Sequence, residues 1–125
     1  MILGTGIDIV EVDRIRRSLE SYGDRFIQRI LRPDEIAYCL SHSNPAPFVA
    51  ARFAAKEAVS KAFGTGIGKE LRWKNIEVIR KPTGSPDIVL HDEGAQLLQA
   101  RGARTVHLSI SHTQTHCVAM AILES

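Results

Sequence analysis

Residues 48–63, with the sequence FVAARFAAKEAVSKAF, are the segment on which the fold prediction depends. They are rich in alanine, contain no glycine or proline and are followed by Gly64, so they predict one long α-helix over Phe48 to Phe63. At about 100° per residue, one half of its circumference is polar and the other half is small and apolar. The polar half consists of Arg52, Lys56, Glu57, Ser60 and Lys61. We therefore expect all charges of this helix to face one way.

The segments before this helix predict one strand followed by shorter helices. Ile2 to Val10 is apolar and β-branched enough for a buried strand, which Asp8 interrupts. Asp13 is a candidate cap for a helix that ends at Gly23, and residues 26–31 continue with helical spacing. Pro33 begins another short helix through Leu40.

The segments after the long helix predict mainly antiparallel strands. Residues 73–79 and 87–90 form a predicted hairpin, and Asp92 is a candidate cap for a helix through Ala100. Residues 105–111 and 116–123 are the last predicted strands. This order predicts an α+β fold, with the long helix packed against an antiparallel-rich sheet. With 125 residues, we expect a single compact domain over 1–125.

The composition excludes several classes of function. Sixteen basic against fourteen acidic residues leave a net charge of +2, and the few aromatic residues are scattered, which argues against a nucleic-acid partner. No apolar run approaches the ~20 residues of a bilayer span, and the N-terminus lacks the order of an export signal, so we expect no membrane association. Cys39 and Cys117 lie far apart, which suits free buried thiols in the cytoplasm.

Two carboxylates are the candidate metal ligands. A carboxylate in an apolar strand must be neutral, hydrogen-bonded or bound to a cation, so Asp8 requires a partner. Either Asp8 caps a turn or pairs with an arginine, or it joins Glu57 in binding Mg²⁺, which uses one or two carboxylates together with waters and phosphate oxygens.

Basic residues near Glu57 also have two interpretations. Lys61 follows Glu57 by four residues, the spacing of an ordinary helical ion pair. Alternatively, Arg52, Lys56 and Lys61 surround a metal-binding carboxylate and supply the positive charge that phosphates need. The glycine-rich residues 64–68 follow a helix and therefore form no P-loop, and His112 at the end of a strand is either a substrate contact or a structural histidine.

Two stretches resemble a known family. GIDIVEVDR at 6–14 and RFAAKEAVSKA at 52–62 resemble the 4′-phosphopantetheinyl transferases, and FGTGIG at 63–68 with LSISHT at 108–113 resembles their short members, the holo-[acyl-carrier-protein] synthases. The resemblance covers nearly the whole chain. It implies transfer of phosphopantetheine from coenzyme A to a serine of apo acyl carrier protein, with release of adenosine 3′,5′-bisphosphate, in fatty acid biosynthesis. It also implies Mg²⁺ as cofactor and a homotrimer with active sites between subunits.

The resemblance assigns roles to individual residues. Asp8 and Glu57 fall on its metal positions, and Asp8, Glu57 and Lys61 are the implied catalytic residues. The implied coenzyme-binding residues are Arg52, Ser60, Lys61, Gly64, Pro86, His112 and Thr113. The implied carrier-protein docking residues are Arg14, Arg25, Phe26 and Arg29. The basic residues that often precede the long helix are absent from HSNPAP at 42–47, which departs from the family pattern at the adenosine 3′-phosphate.

A second function class is compatible with the same residues. A non-catalytic module would use the basic helices to dock an acidic protein or a nucleotide, and Asp8 would then be a structural partner of an arginine. Incubation with coenzyme A, magnesium and apo carrier protein distinguishes the two classes, because only an enzyme raises the mass of the carrier.

Overall fold

The computed structural model describes residues 1–125 as an α+β fold with five helices and five strands. The elements are β1 (Ile2–Glu11), α1 (Val12–Tyr22), α2 (Asp24–Ile30), α3 (Pro33–Leu40), α4 (Ala46–Phe63), β2 (Ile76–Arg80), β3 (Pro86–Leu90), α5 (Glu93–Ala100), β4 (Thr105–His112) and β5 (His116–Glu124). The strands form two antiparallel sheets, one in the order β1-β5-β4 and one made of β2 and β3. The predicted fold class and the hairpin are therefore confirmed.

Helix α4 lies across the three-stranded sheet and contributes most of its buried side chains to the core. The sheet and the helix come unusually close at β1. A Cβ atom at Gly4 or Gly6 would overlap the carbonyl oxygens of Ala62 and Ala58 on α4. Glycine at these two positions therefore allows the backbones of β1 and α4 to touch.

The opposite face of β1 is exposed in the single chain. The side chains of Ile7 and Ile9 are 61% and 63% exposed, and Met120, which pairs with Ile7 across the sheet, is 43% exposed. The prediction of a buried strand therefore holds for only one face of β1. Only the face that contacts α4 is covered.

Several predicted boundaries change in the structure. Residues 73–75 form a 3-10 turn rather than the start of β2. The side chain of Asn75 caps this turn, because its oxygen accepts a hydrogen bond from the Arg72 amide. Helix α4 begins two residues earlier than predicted, at Ala46 after Pro45. Neither Asp13 nor Asp92 acts as a helix cap: Asp13 lies inside α1 and pairs with Arg16, and Asp92 has a φ of 52° with no capping hydrogen bond.

Both cysteines are free and buried, as predicted. Burial raises the pKa of the Cys39 thiol to about 11 and also raises that of Cys117. None of the helices combines the length and the apolar character that a bilayer crossing requires.

Candidate active site

Asp8 faces α4 from the same side of β1 as Gly4 and Gly6, since side chains alternate along a strand. The ammonium nitrogen of Lys61 donates to Asp8 Oδ1 at 3.1 Å and to the Ile7 carbonyl at 3.0 Å. The Asp8 side chain is 16% exposed and that of Lys61 is 50% exposed. The partner of Asp8 is thus a lysine. The Asp8 side chain is largely covered, whereas that of Lys61 reaches solvent.

Glu57 lies one helical turn before Lys61 on α4. Burial raises the pKa of the Glu57 carboxyl, and the negative charge of Asp8 raises it further, while Lys61 and Arg14 partly offset this effect. The charges of Asp8 and Glu57 are therefore close enough to interact. We call Asp8, Glu57 and Lys61 the carboxylate-lysine site.

The prediction of one charged face on α4 is wrong. Arg52, Lys56 and Ser60 are buried within the protein, whereas Glu57 and Lys61 face β1 and solvent. Lys56 forms an ion pair with Glu35 and does not surround the carboxylates, because α3 covers that side of the helix. The Ser60 hydroxyl donates to the Glu57 carbonyl at 2.7 Å within the same turn.

Arg52 belongs to a second group of polar residues on the other side of α4. Its guanidinium lies 4.5 Å from the centre of the Tyr38 ring, and Arg80 donates to the Tyr38 hydroxyl at 2.8 Å. Arg80 pairs with Pro86 in the β2–β3 hairpin, so Arg52 and Pro86 are linked through Tyr38. We call these four residues the arginine-tyrosine cluster. The sequence analysis missed Tyr38 and Arg80, since neither lies in a recognisable motif.

The remaining predicted coenzyme-binding residues lie at the ends of elements. Gly64 ends α4 with a φ of 79°, and His112 and Thr113 are exposed where β4 turns into β5. No hydrogen bond in a single copy joins the arginine-tyrosine cluster, His112 or Thr113 to the carboxylate-lysine site. One chain therefore presents its predicted coenzyme contacts as separate groups.

A groove of about 830 Å³ extends from Glu57 across the loop after α4. It is lined by Arg29, Glu57, Ile67, Gly68, Lys69, Arg72, Trp73, Lys74, Asn75 and Glu93. A neighbouring pocket of about 540 Å³ is lined by Ser18, Tyr22, Arg25, Phe26 and Arg29. Arg29 borders both, so the predicted docking residues of α2 lie beside a path that leads to Glu57.

The donor chemistry of the carboxylate-lysine site fits a magnesium ion. Two interacting carboxylates supply hard oxygen ligands, and Mg²⁺ commonly completes its shell with waters and phosphate oxygens. The chain has no cluster of three or more His, Cys, Asp or Glu side chains arranged to hold a metal. An ion held by Asp8 and Glu57 would therefore take the rest of its shell from water or substrate oxygens.

The chain matches a known family over most of its length. The family model described as the 4′-phosphopantetheinyl transferase superfamily matches residues 4–121. The chain belongs to this superfamily. It is 54% identical over 124 residues to the holo-[acyl-carrier-protein] synthase of Koribacter versatilis, covering 99% of each chain. It is 49% identical over 125 residues to that of Solibacter usitatus, covering 100% of each.

Solved structures of superfamily members have the same fold. The holo-[acyl-carrier-protein] synthase of Neisseria meningitidis superposes with a TM-score of 0.94 at 35% identity, over 100% of both chains. That of Bacillus anthracis, in complex with CoA (3′,5′-ADP), superposes with a TM-score of 0.85 at 42% identity, over 100% of this chain and 98% of the other.

Proposed function

We propose that this chain is a holo-[acyl-carrier-protein] synthase. It transfers the 4′-phosphopantetheine group of coenzyme A to a serine of apo acyl carrier protein, releases adenosine 3′,5′-bisphosphate and supports fatty acid biosynthesis. The observation that carries this proposal is the carboxylate-lysine site, which lies in a chain that matches such synthases over its full length. A related structure in complex with coenzyme A, that of Helicobacter pylori, supports the coenzyme substrate.

Magnesium is the proposed cofactor, held by Asp8 and Glu57. When bound, it supplies positive charge next to the pyrophosphate oxygens of coenzyme A. Burial raises the pKa of Glu57 and the charge of Asp8 raises it further, so a cation held between these carboxylates would offset both effects.

Lys61 is the proposed electrostatic catalyst. Its side chain is half exposed and its ammonium nitrogen already lies 3.1 Å from Asp8, so it reaches any phosphate held at the same carboxylate. There it stabilises the negative charge that develops on the phosphate oxygens as the serine attacks in line. The residues of this chain thus act by positioning and by charge.

The proposed coenzyme site is completed by a neighbouring copy in a homotrimer. Arg52 lies about 140° around α4 from Glu57, as five residues at about 100° each require, and Arg52 is held against Tyr38. Arg52, Pro86, His112, Thr113, Lys61 and Gly64 then come together from neighbouring copies, while the buried Ser60, which donates to the Glu57 carbonyl, supports the helical turn of Glu57. The exposed apolar face around Ile7, Ile9 and Met120 supplies a surface for such an assembly.

The proposed carrier surface comprises Arg14, Arg25, Phe26 and Arg29. Arg14 is close enough to Glu57 to affect its pKa, and Arg29 borders the groove that leads to Glu57. An acidic carrier bound to these residues is therefore held near the reacting phosphate. The proposed location is the cytoplasm, which suits two free buried thiols.

Mass spectrometry of apo carrier protein after incubation with coenzyme A and magnesium tests the proposed function. The carrier gains the mass of one phosphopantetheine group if the proposal is correct. No mass change at saturating substrates favours the non-catalytic module instead. Light scattering tests the trimer, and a strictly monomeric protein with full activity contradicts it.

A further inference from the structure

Lys56 makes an unusually complete set of contacts for a buried lysine. Its side chain is 0% exposed. Its ammonium nitrogen donates to the Ile30 carbonyl at 2.7 Å, to Glu35 Oε1 at 2.7 Å and to the Trp73 carbonyl at 3.2 Å. The three acceptors engage all three N–H groups of a charged ammonium. A neutral amine has only two N–H groups and cannot donate to all three acceptors.

Both carboxylate oxygens of Glu35 also accept hydrogen bonds. Besides the bond from Lys56, its Oε1 accepts a hydrogen bond from the Arg32 amide at 2.8 Å, and its Oε2 accepts one from the Val78 amide at 3.0 Å. The pair therefore connects α4 to four other parts of the chain: the last residue of α2, the start of α3, the turn at 73–75 and strand β2.

Two of these connected parts, α2 and the turn at 73–75, border the groove that contains Glu57. Helix α2 carries Arg25, Phe26 and Arg29, and Ile30, which accepts from Lys56, is the residue after Arg29. Trp73 lines the groove together with Arg29 and Glu57. Lys56 itself precedes Glu57 in the chain. One side chain therefore connects α2 and the turn at 73–75 to the helix that carries this carboxylate.

We propose that Lys56 is a positioning residue for transfer to the carrier. Through Glu35, Ile30 and Trp73 it holds α2 and the turn at 73–75 at a fixed distance from Glu57, so that a docked carrier presents its serine at the phosphate. This inference rests on the proposed function. It assigns Lys56 no contact with substrate, coenzyme or metal, since all of its donors are occupied within the protein.

The test compares Lys56→Met with Leu123→Ala. Leu123 is a buried residue of β5, so its truncation lowers stability without touching these contacts. At a temperature where circular dichroism shows both variants folded, Lys56→Met lowers kcat/KM for the carrier about 10- to 100-fold, because misplaced reacting groups cost this much. Its dissociation constant for coenzyme A changes by less than about twofold. Leu123→Ala changes neither quantity beyond that range.

Amide hydrogen exchange supplies a readout that does not depend on activity. Lys56→Met accelerates exchange in α2 and at residues 73–78, whereas Leu123→Ala leaves these segments protected. If wild-type protein fails to modify a carrier, the proposed function fails, and the exchange data still test whether Lys56 holds these segments in place.

Three outcomes overturn the proposal. One is an unchanged kcat/KM for the carrier in folded Lys56→Met. Another is a parallel loss of coenzyme affinity and carrier turnover in both variants. The third is unchanged hydrogen exchange in α2. If Lys56→Met does not fold, Glu35→Gln, which keeps an acceptor for a backbone amide but removes the negative charge, is compared with Leu123→Ala by the same criteria.

Discussion

Helix α4 carries two lysine-carboxylate pairs that differ in almost every physical respect. Lys61 and Asp8 lie 3.1 Å apart with side chains 50% and 16% exposed, whereas Lys56 and Glu35 lie 2.7 Å apart with side chains 0% and 1% exposed. The open pair is screened by water and contributes little to stability. The closed pair is costly to break, because removing one partner leaves a buried charge without compensation.

The difference separates binding from structure along one helix. The Lys61 ammonium can leave Asp8 for a phosphate oxygen at little cost, since water replaces the lost contact. Lys56 cannot move in this way, because its three acceptors are fixed in the protein. In the proposed function, ligand chemistry therefore belongs to the open pair and the shape of the site to the closed one.

The largest expected effect is on activity at the open carboxylates. Asp8→Asn and Glu57→Gln each lower magnesium-dependent transfer by at least about 10³-fold, because each removes a metal ligand and metal charge stabilisation is worth several kcal/mol. The free energy of unfolding changes by less than about 1 kcal/mol. Carrier mass shift and chemical denaturation measure the two quantities, with Glu124→Gln as the control. Unchanged turnover at saturating magnesium removes the altered residue from the metal site.

The next effect is on stability at the closed pair. Glu35→Ala lowers the free energy of unfolding by about 3–5 kcal/mol, because burial already lowers the pKa of Lys56 and, without Glu35, the lysine must either stay charged and uncompensated or lose its proton. Asp13→Ala breaks the exposed pair with Arg16 and changes it by at most about 1 kcal/mol. Denaturant titration of both variants checks the contrast. Equal losses would show that burial does not distinguish the two kinds of pair.

Sequence reasoning identified both residues of the open pair but not the pair itself, since it gave Asp8 a turn, an arginine or a metal ion as partner and gave Lys61 an ion pair with Glu57. Asp8 was identifiable because a carboxylate interrupts an apolar strand, and Glu57 and Lys61 because they share one side of an alanine-rich helix. Lys56 lies on the same half of that helix, and the periodicity alone does not show that α3 covers it. Its partner Glu35 is 21 residues away and looked like an ordinary first-turn acid.

The elements of the fold that were predicted correctly are those with a strong local sequence pattern. Helix α4 has a strong local pattern, so its existence and C-terminal end at Gly64 were predicted correctly. The exposed face of β1 was not, because Ile7 and Ile9 have the composition of a buried strand and a sequence does not show which face a sheet leaves open. The turn at 73–75 depends on a hydrogen bond from the Arg72 amide to Asn75, whereas the apolar residues that follow favoured a longer strand.

A smaller effect tests the proposed role of Lys61, the lysine of the open pair. Lys61→Met lowers turnover about 100-fold, as expected for removing one charge aimed at the transition state. Magnesium affinity is retained, because Asp8 and Glu57 remain, and the free energy of unfolding changes by at most about 1 kcal/mol. Steady-state kinetics and metal titration measure these quantities. An equal loss of coenzyme binding with no loss of turnover contradicts the catalytic role.

The smallest effect concerns exposed arginines on α1 and α2. Arg14 is exposed on α1, 5.6 Å from the centre of the Phe53 ring, and its charge reaches Glu57. If Arg14, Arg25 and Arg29 steer an acidic carrier, salt must weaken their effect, since the Debye length falls from ~10 Å at 0.1 M to ~3 Å at 1 M. The KM for the carrier then rises steeply with salt, while that for coenzyme A, held by closer contacts, rises less.

Charge reversal at Arg14 separates steering from ordinary surface charge. Arg14→Glu raises the KM for the carrier about tenfold at low salt, roughly the 1.4 kcal/mol that corresponds to a factor of ten, and it flattens the salt dependence because an attractive charge has become repulsive. Arg104→Glu, an exposed arginine before β4, makes the same change in net charge and leaves both quantities close to wild type. If Arg14→Glu leaves carrier affinity and its salt dependence unchanged, Arg14 does not belong to the docking surface. It is then an ordinary solvated arginine on α1, and the steering charges are those of Arg25 and Arg29 on α2.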